Sequence, residues 1–255
     1  MKNSLRIVKI GGKIAENPST LSRFLDDFIA FDTPQILVHG GGVIASEMGK
    51  RLGIKPNMID GRRVTDAQTL EVVTMVYGGL INKRLVAHLQ SRGVHALGLT
   101  GADGNAIQAK KRPQEPIDFG WVGDIESVNT DLFSSLIDQG ILPVLAPLTH
   151  DGKGNMLNTN ADAIASYVAA AMATHYEIEL IFGFDREGVM DSNGVVAALS
   201  MEGYQKLKSS GIISDGMIPK LDLGFQALTS GVQSVRIKSA TDLMNRNAGT
   251  ELKHV

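Results

Sequence analysis

The sequence predicts an α/β protein, a three-layer αβα sandwich around a mostly parallel open central sheet. Three observations carry that prediction. Strand-like and amphipathic helix-like segments alternate along the chain, the pattern of parallel strands joined by helices that cover both sheet faces. Two early apolar strands each run straight into clustered glycines. Across 255 residues, 43% are hydrophobic, enough for a substantial core.

The elements follow in order. Leu5 to Ile10 is a strand ending in Gly11-Gly12-Lys13, and an amphipathic helix covers 19–31. A second strand, 35–39, carries Ile36-Leu37-Val38 into His39-Gly40-Gly41-Gly42, with a helix over 43–52. Pro56 and Asp60-Gly61 mark 55–65 as a hairpin or loop. The longest helical pattern, 66–92, places Leu70, Val73, Val76, Leu80 and Leu85 near helical spacing, and Gly78-Gly79 marks a bend or a close helix contact. A strand at 94–99 precedes a Gly, Asp and Pro-rich stretch at 101–128. A helix at 130–139 and a strand at 142–146 lead to 146–157, where Asp151-Gly152-Lys153-Gly154 reads as a turn between short extended pieces. Helix 160–174, strand 178–183, helix 218–230 and strand 233–238 complete the alternation.

Composition narrows the function classes. A formal net charge of -2 argues against broad nucleic-acid binding and against a polybasic membrane surface. No cysteine is present, so disulfides and thiolate metal sites are excluded. None of the six histidines has metal-ligand spacing with another, and no metal site is expected. Met1-Lys2-Asn3-Ser4 leads into a strand rather than an apolar signal, and Ala163 to Ala173 is too short to span a bilayer. The reading is a soluble cytoplasmic protein.

The glycine loops point to anionic ligands, because glycine lets backbone N–H groups approach phosphates and carboxylates at the carboxyl ends of parallel strands. No Walker-type phosphate loop occurs. Gly40-Gly41-Gly42-Val43-Ile44-Ala45 matches the loose dinucleotide pattern, with Asp60 where a ribose-binding acid is sought, although Asp60-Gly61 more naturally makes a turn. In Gly61-Arg62-Arg63-Val64-Thr65-Asp66, Thr65 or Asp66 would cap the long helix, and an arginine fork suits a carboxylate. Two solvated arginines explain the same residues equally well. Asn158-Thr159-Asn160-Ala161-Asp162 opens a helix with more Asx side chains than capping needs. Ser214-Asp215-Gly216-Met217-Ile218-Pro219-Lys220 is a turn entering a helix, with proline in its first turn.

Taken in order, these segments resemble the amino acid kinase superfamily over essentially the whole chain, and within it the N-acetylglutamate kinase branch. The resemblance implies the amino acid kinase fold and phosphoryl transfer from ATP, carried with Mg2+, to the side-chain carboxylate of an N-acylglutamate, the second step of arginine biosynthesis. It implies that Lys9 and Lys220 stabilise the transferring phosphoryl group and that Asp162 holds those lysines. It assigns Gly41, Gly42, Arg63, Asn158 and Asn160 to the acylglutamate, Arg63 through the α-carboxylate. It assigns Gly11, Gly12, Asp185, Gly188, Val189, Ile212, Ile213, Ser214 and Met217 to the nucleotide. It further implies an N-terminal lobe, 1–175, with the acylglutamate site and a dimer interface, and a C-terminal nucleotide lobe, 176–255, on one continuous sheet.

Two features depart from the family pattern. Phe184 precedes Asp185 where the family usually has a hydroxyl residue. Only eight residues precede Lys9, too few for the extra helix of arginine-inhibited hexamers, so a homodimer unresponsive to arginine is expected. Three alternatives stay open: the same reaction on N-succinylglutamate, a nicotinamide-dependent oxidoreductase resting on Gly40 to Ala45, and a non-catalytic nucleotide or amino-acid sensor on this scaffold.

Overall fold

The computed structural model describes residues 2–213 and 216–253. By contacts the chain forms two compact units, one joining Met1–Ile36 to Ala165–Val255, the other Leu37–Ile164. This division differs from the one expected at 175/176. The cause is β1 (Asn3–Ile10), which pairs in parallel along its whole length with a strand from the C-terminal part, Asn3 opposite Tyr176 through Ile10 opposite Gly183.

After β1 the chain makes α1 (Gly12–Glu16) and α2 (Pro18–Ile29). Asn17 caps α2 by accepting from the N–H groups of Ser19 and Thr20, each at 3.1 Å, and Pro18 supplies the first helical position. Its buried stripe, Leu21, Phe24, Leu25 and Phe28, places two stacked rings 5.5 Å apart.

The second unit takes most of β2 (Gln35–His39), α3 (Gly42–Arg51), and a hairpin of β3 (Met58–Ile59) and β4 (Arg62–Arg63). Asp60 (φ 48°) and Gly61 (φ 73°) are both left-handed at its tip, as a tight two-residue turn requires. Helix α4 (Ala67–Val73) continues through a π-helical run, Thr74–Ile81, into α5 (Asn82–Gln90). The interruption expected at Gly78-Gly79 is this π run, and a Cβ on Gly78 would touch Leu148 and Thr100. Next come β5 (Ala96–Leu99), β6 (Ile107–Lys111), β7 (Gly123–Val128), α6 (Thr130–Asp138), β8 (Leu142–Leu145), β9 (Leu148–His150), β10 (Met156–Asn158) and α7 (Ala161–Met172). Strands β2, β8 and β5 pair in parallel. A separate four-stranded sheet, in the order β10-β9-β6-β7, forms from the Gly, Asp and Pro-rich stretch at 101–128 and from the short extended pieces on either side of the Asp151–Gly154 turn.

The first unit resumes with β11 (Tyr176–Phe184), the hairpin β12 (Met190–Asp191) and β13 (Gly194–Val195), β14 (Ala198–Ser200), α8 (Met201–Ser209), α9 (Ile218–Thr229), β15 (Ser234–Ser239) and β16 (Thr250–Lys253). Its strands run β14-β16-β15-β11-β1, all parallel pairs except β15 with β16. Strands β2 and β8 are buried at every position and β1 at six consecutive ones, the signature of strands covered on both faces rather than one. The predicted α/β architecture with a mostly parallel sheet is therefore observed.

Candidate active site

In the Leu37–Ile164 unit, the carboxyl end of β2 delivers the glycine loop to the start of α3. Gly41 caps that helix without a side chain, and its carbonyl accepts from Ala45 N–H at 3.0 Å. A Cβ on Gly41 would collide with Ile81 Cδ1 and the Tyr77 ring, so the loop is packed against the π-helical run. The first N–H groups of α3 have no partner within the helix, which makes this end receptive to an anion.

Arg63, brought by β4, donates from Nη2 to the Gly42 carbonyl at 2.8 Å and to Ser46 Oγ at 2.7 Å. Its guanidinium also lies beside the Tyr77 hydroxyl. Burial raises the Tyr77 pKa, against the pull of Arg63, so the phenol stays neutral. The arginine is thus oriented before any ligand arrives, with further N–H groups of its fork to offer.

Asn158 Nδ2 donates to Thr65 Oγ1 at 2.9 Å. Thr65 is fully buried and laced by backbone bonds, accepting from Trp121 N–H at 2.6 Å and donating to the Phe119 carbonyl at 2.8 Å. The capping role goes to Asp66, which accepts from Thr69 N–H at 2.7 Å and so has a carboxyl pKa below the usual range. Asn160 Oδ1 accepts from the N–H groups of Asp162 and Ala163 at 2.7 and 3.1 Å. Its side chain therefore caps α7, the plainer of the two readings of that segment. Asp162 is buried in the first turn of α7.

In the other unit, Lys9 is buried near the end of β1, and Gly11 caps α1 with open space where a Cβ would stand. Lys13 Nζ, in α1, pairs with Asp185 Oδ2 at 2.7 Å just beyond the adjacent parallel strand β11, and this bond is the main cause that lowers the Asp185 pKa. Gly188 is closely approached by Thr250 Oγ1 and Val195. Val189 is buried, its N–H held by Thr250 Oγ1 at 2.9 Å and its carbonyl by Val196 N–H at 2.8 Å, so it braces the β12–β13 hairpin. Ile212 is exposed and Ile213 buried, both donating their N–H to Leu207 O. Met217 caps α9, and Pro219 and Lys220 both stand in its first turn. Ser214 lies outside the described residues. Among the described residues no three His, Asp or Glu side chains gather to hold a metal, and no helix is long and apolar enough to cross a membrane.

The expected groups thus sort cleanly. Gly41, Gly42, Arg63, Asn158, Asn160 and Asp162 belong to one unit, and Lys9, Gly11, Gly12, Asp185, Gly188, Val189, Ile212, Ile213, Met217 and Lys220 to the other. Ser46 and Tyr77 were missed, since a lone hydroxyl residue on a helix has no spacing signal, and Thr65, read as a candidate cap, instead holds Asn158. Asp60, sought as a ribose acid, sits at the exposed hairpin tip, which removes the feature that completed the dinucleotide pattern. A cavity of about 520 Å³ in the first unit is elsewhere, lined by Lys2, Tyr176, Glu177 and Gln233 at the opposite ends of β1 and β11.

Comparison with known proteins identifies the family. Residues 4–239 match the model of the amino acid kinase family. An acetylglutamate kinase from Phocaeicola vulgatus is 50% identical over 257 residues, covering 99% of this chain and 100% of that protein. A Streptococcus mutans protein of solved structure superimposes with a TM-score of 0.82 at 26% identity, covering 98% of both chains. The N-acetylglutamate synthase of Neisseria gonorrhoeae, solved with coenzyme A and N-acetyl-glutamate, shares the fold with a TM-score of 0.85 at 22% identity, over 99% of this chain and 60% of that one. The chain belongs to the amino acid kinase family, in its acetylglutamate kinase branch.

Proposed function

We infer that this protein transfers the γ-phosphoryl group of ATP to the side-chain carboxylate of N-acetylglutamate. A side-chain oxygen attacks the γ-phosphorus, the new O–P bond forms, the bond to the β-phosphate bridging oxygen breaks, and ADP leaves behind an acyl phosphate. The attacking carboxylate is already ionised at neutral pH, with a reference pKa of about 4.3, so no general base is required. What the reaction needs is alignment and neutralised charge.

The observation that carries this reading is Arg63, held through Nη2 by Gly42 and Ser46 at the glycine loop, in a chain half identical to an acetylglutamate kinase over its full length. We assign Arg63 to the α-carboxylate, Asn158 to the acylated amide, and the loop N–H groups of Gly41 and Gly42 to the reacting carboxylate. Lys9 and Lys220 neutralise charge on the phosphoryl group, and Asp162 orients ammonium groups. Gly11, Gly12, Asp185 and Gly188 serve the nucleotide, with Ile212, Ile213 and Met217 as its apolar contacts. Magnesium enters with ATP as part of the substrate. A cytoplasmic homodimer belongs to the same reading, supported by the exposed apolar side chains Met75, Leu80 and Leu97. Sedimentation at the mass of one chain would overturn the dimer.

The direct experiment measures ADP release from MgATP with N-acetylglutamate while hydroxylamine traps the acyl phosphate. Hydroxamate formation in step with ADP is the expected outcome. Folded protein that binds ATP and yields no hydroxamate overturns the reading.

A further inference from the structure

Beneath the glycine loop lies a buried polar chain that the transfer reaction does not use directly. His39, the last residue of β2, is fully buried, and Asn82, the first of α5, is 1% exposed. His39 Nδ1 is 2.9 Å from the carbonyl of Gly40, an acceptor only, so Nδ1 must carry the proton. His39 Nε2 then accepts from Asn82 Nδ2 at 3.3 Å. The same amide nitrogen donates to the Val144 carbonyl of β8 at 2.9 Å. Asn82 Oδ1 accepts from Lys83 Nζ at 3.1 Å, and Lys83 also donates to the Gly98 carbonyl of β5 at 3.0 Å.

Every polar atom in this chain has one role, and each role fixes the next. Lys83 decides which end of the Asn82 amide faces the sheet. That amide presents a donor to His39, which admits only the neutral Nδ1–H tautomer. The tautomer in turn holds the Gly40 carbonyl, and with it the peptide planes leading to Gly41 and Gly42. Glycine has no Cβ to restrict its backbone, so three in succession need an external anchor if their N–H groups are to keep one direction. Gly98 fits the same arrangement, because a Cβ there would collide with Asn82 Oδ1.

We propose that Asn82 is a positioning residue for phosphoryl transfer: by fixing the tautomer of His39 it aims the N–H groups of the Gly40–Gly42 loop at the reacting carboxylate. The proposal rests on the transfer reading above. Burial also keeps the imidazole neutral, lowering its pKa from 6.5 to about 4, with the nearby Lys83 charge acting in the same direction and the Gly40 bond against it.

Asn82→Asp tests this, because it keeps the shape and replaces the donor by an ionisable acceptor. While the introduced carboxyl group and the His39 imidazole together hold an extra proton, Nδ1–H can still serve Gly40. When that proton is lost at higher pH, the remaining imidazole proton is drawn to Nε2 by the carboxylate and Gly40 loses its donor. The expected result is a kcat that falls about tenfold as pH rises through this titration, with the KM for ATP within about twofold of wild type. Wild-type kcat, measured alongside, shows no such step. A variant whose kcat equals wild type at every pH overturns the proposal, and so does a loss equal at every pH that merely tracks a lower Tm.

Nitrogen-15 NMR of His39 in the wild-type protein supplies a readout that needs neither a variant nor turnover. The Nδ1–H tautomer at pH 7 is expected, and Nε2–H or a charged ring overturns the proposal even if Asn82→Asp does not fold. A wild type inert toward N-acetylglutamate would instead overturn the transfer reading, so the two failures are told apart.

Discussion

The two units present their candidate groups in opposite ways. In Leu37–Ile164 the groups are set before a ligand arrives: Arg63 is held by Gly42 and Ser46, Asn158 by Thr65, and Gly40 by His39. In the unit of Met1–Ile36 and Ala165–Val255, Lys9 is buried, but the pair flanking the glycine turn, Lys13 with Asp185, is 69% and 46% exposed. On the reading proposed above, the difference fits what each ligand demands. A small acid is selected by donors already in place, since ordering them on binding would cost affinity. A phosphoryl group in transfer redistributes charge over its oxygens, and mobile point charges can follow it.

The comparison breaks most sharply at Lys220. Lys220→Ala should lower kcat by at least about a hundredfold while N-acetylglutamate affinity is kept, as when a transition-state charge is removed. A change confined to the KM for ATP would demote Lys220 to a binding residue and leave the mobile-charge half of the argument without support. Arg63→Ala should have the complementary signature, a KM for N-acetylglutamate raised about tenfold or more with the KM for ATP little moved. Arg63→Lys should recover little of that loss, because lysine keeps the charge but not the planar fork, whose other N–H groups can meet a carboxylate while Nη2 is held by Gly42 and Ser46. Full recovery by lysine would mean that charge alone holds the substrate.

The pre-set unit should also show a pH signature in its stability. His39 has a folded pKa of about 4 against 6.5 unfolded, so between these values the unfolded chain binds more protons and stability rises with pH. The contribution of His39 is complete above about pH 6.5 and is lost as pH falls toward 4. Urea unfolding at pH 7.5 and pH 5 should show that decline, and His39→Gln should flatten it. An undiminished slope in the variant would place the titrating group elsewhere.

Much of this was legible in the sequence because the physics is local or periodic. The strand at 35–39 and the helices at 43–52, 130–139 and 218–230 appear within a residue of their expected ends, since apolar runs and caps specify them. The Asp60-Gly61 turn was legible because few residue pairs suit two left-handed positions. Strands β6, β7 and β16 were not, being short and paired beyond the reach of any local pattern, whereas the β9–β10 pair flanks the Asp151–Gly154 turn that the sequence shows. The site divides along the same line. Glycine loops and Arg63 stand out in the sequence, whereas Thr65 and Asn82 matter through partners 93 and 43 residues away. Asn160 shows the converse, since its side chain is occupied as the cap of α7.

The smallest effect belongs to Lys13, and it decides how different the two units are. An exposed ion pair contributes about 0–1 kcal/mol, because water screens both charges and two long side chains lose freedom to meet. Lys13→Ala should therefore leave urea unfolding within about 1 kcal/mol of wild type. The KM for ATP should rise by only about two- to threefold, an effect that shrinks as salt is raised to screen the loop. Arg63 also stands at a strand end beside a glycine loop, but its guanidinium has fixed acceptors and a neighbouring phenol, whereas Lys13 has a solvated partner in Asp185. If Lys13→Ala were as damaging as Arg63→Ala, and equally so at high salt, the Lys13–Asp185 pair would be as rigid a part of its site as the Arg63 clamp. The contrast between a pre-set acceptor site and an adaptable nucleotide site would then fail at its most exposed point.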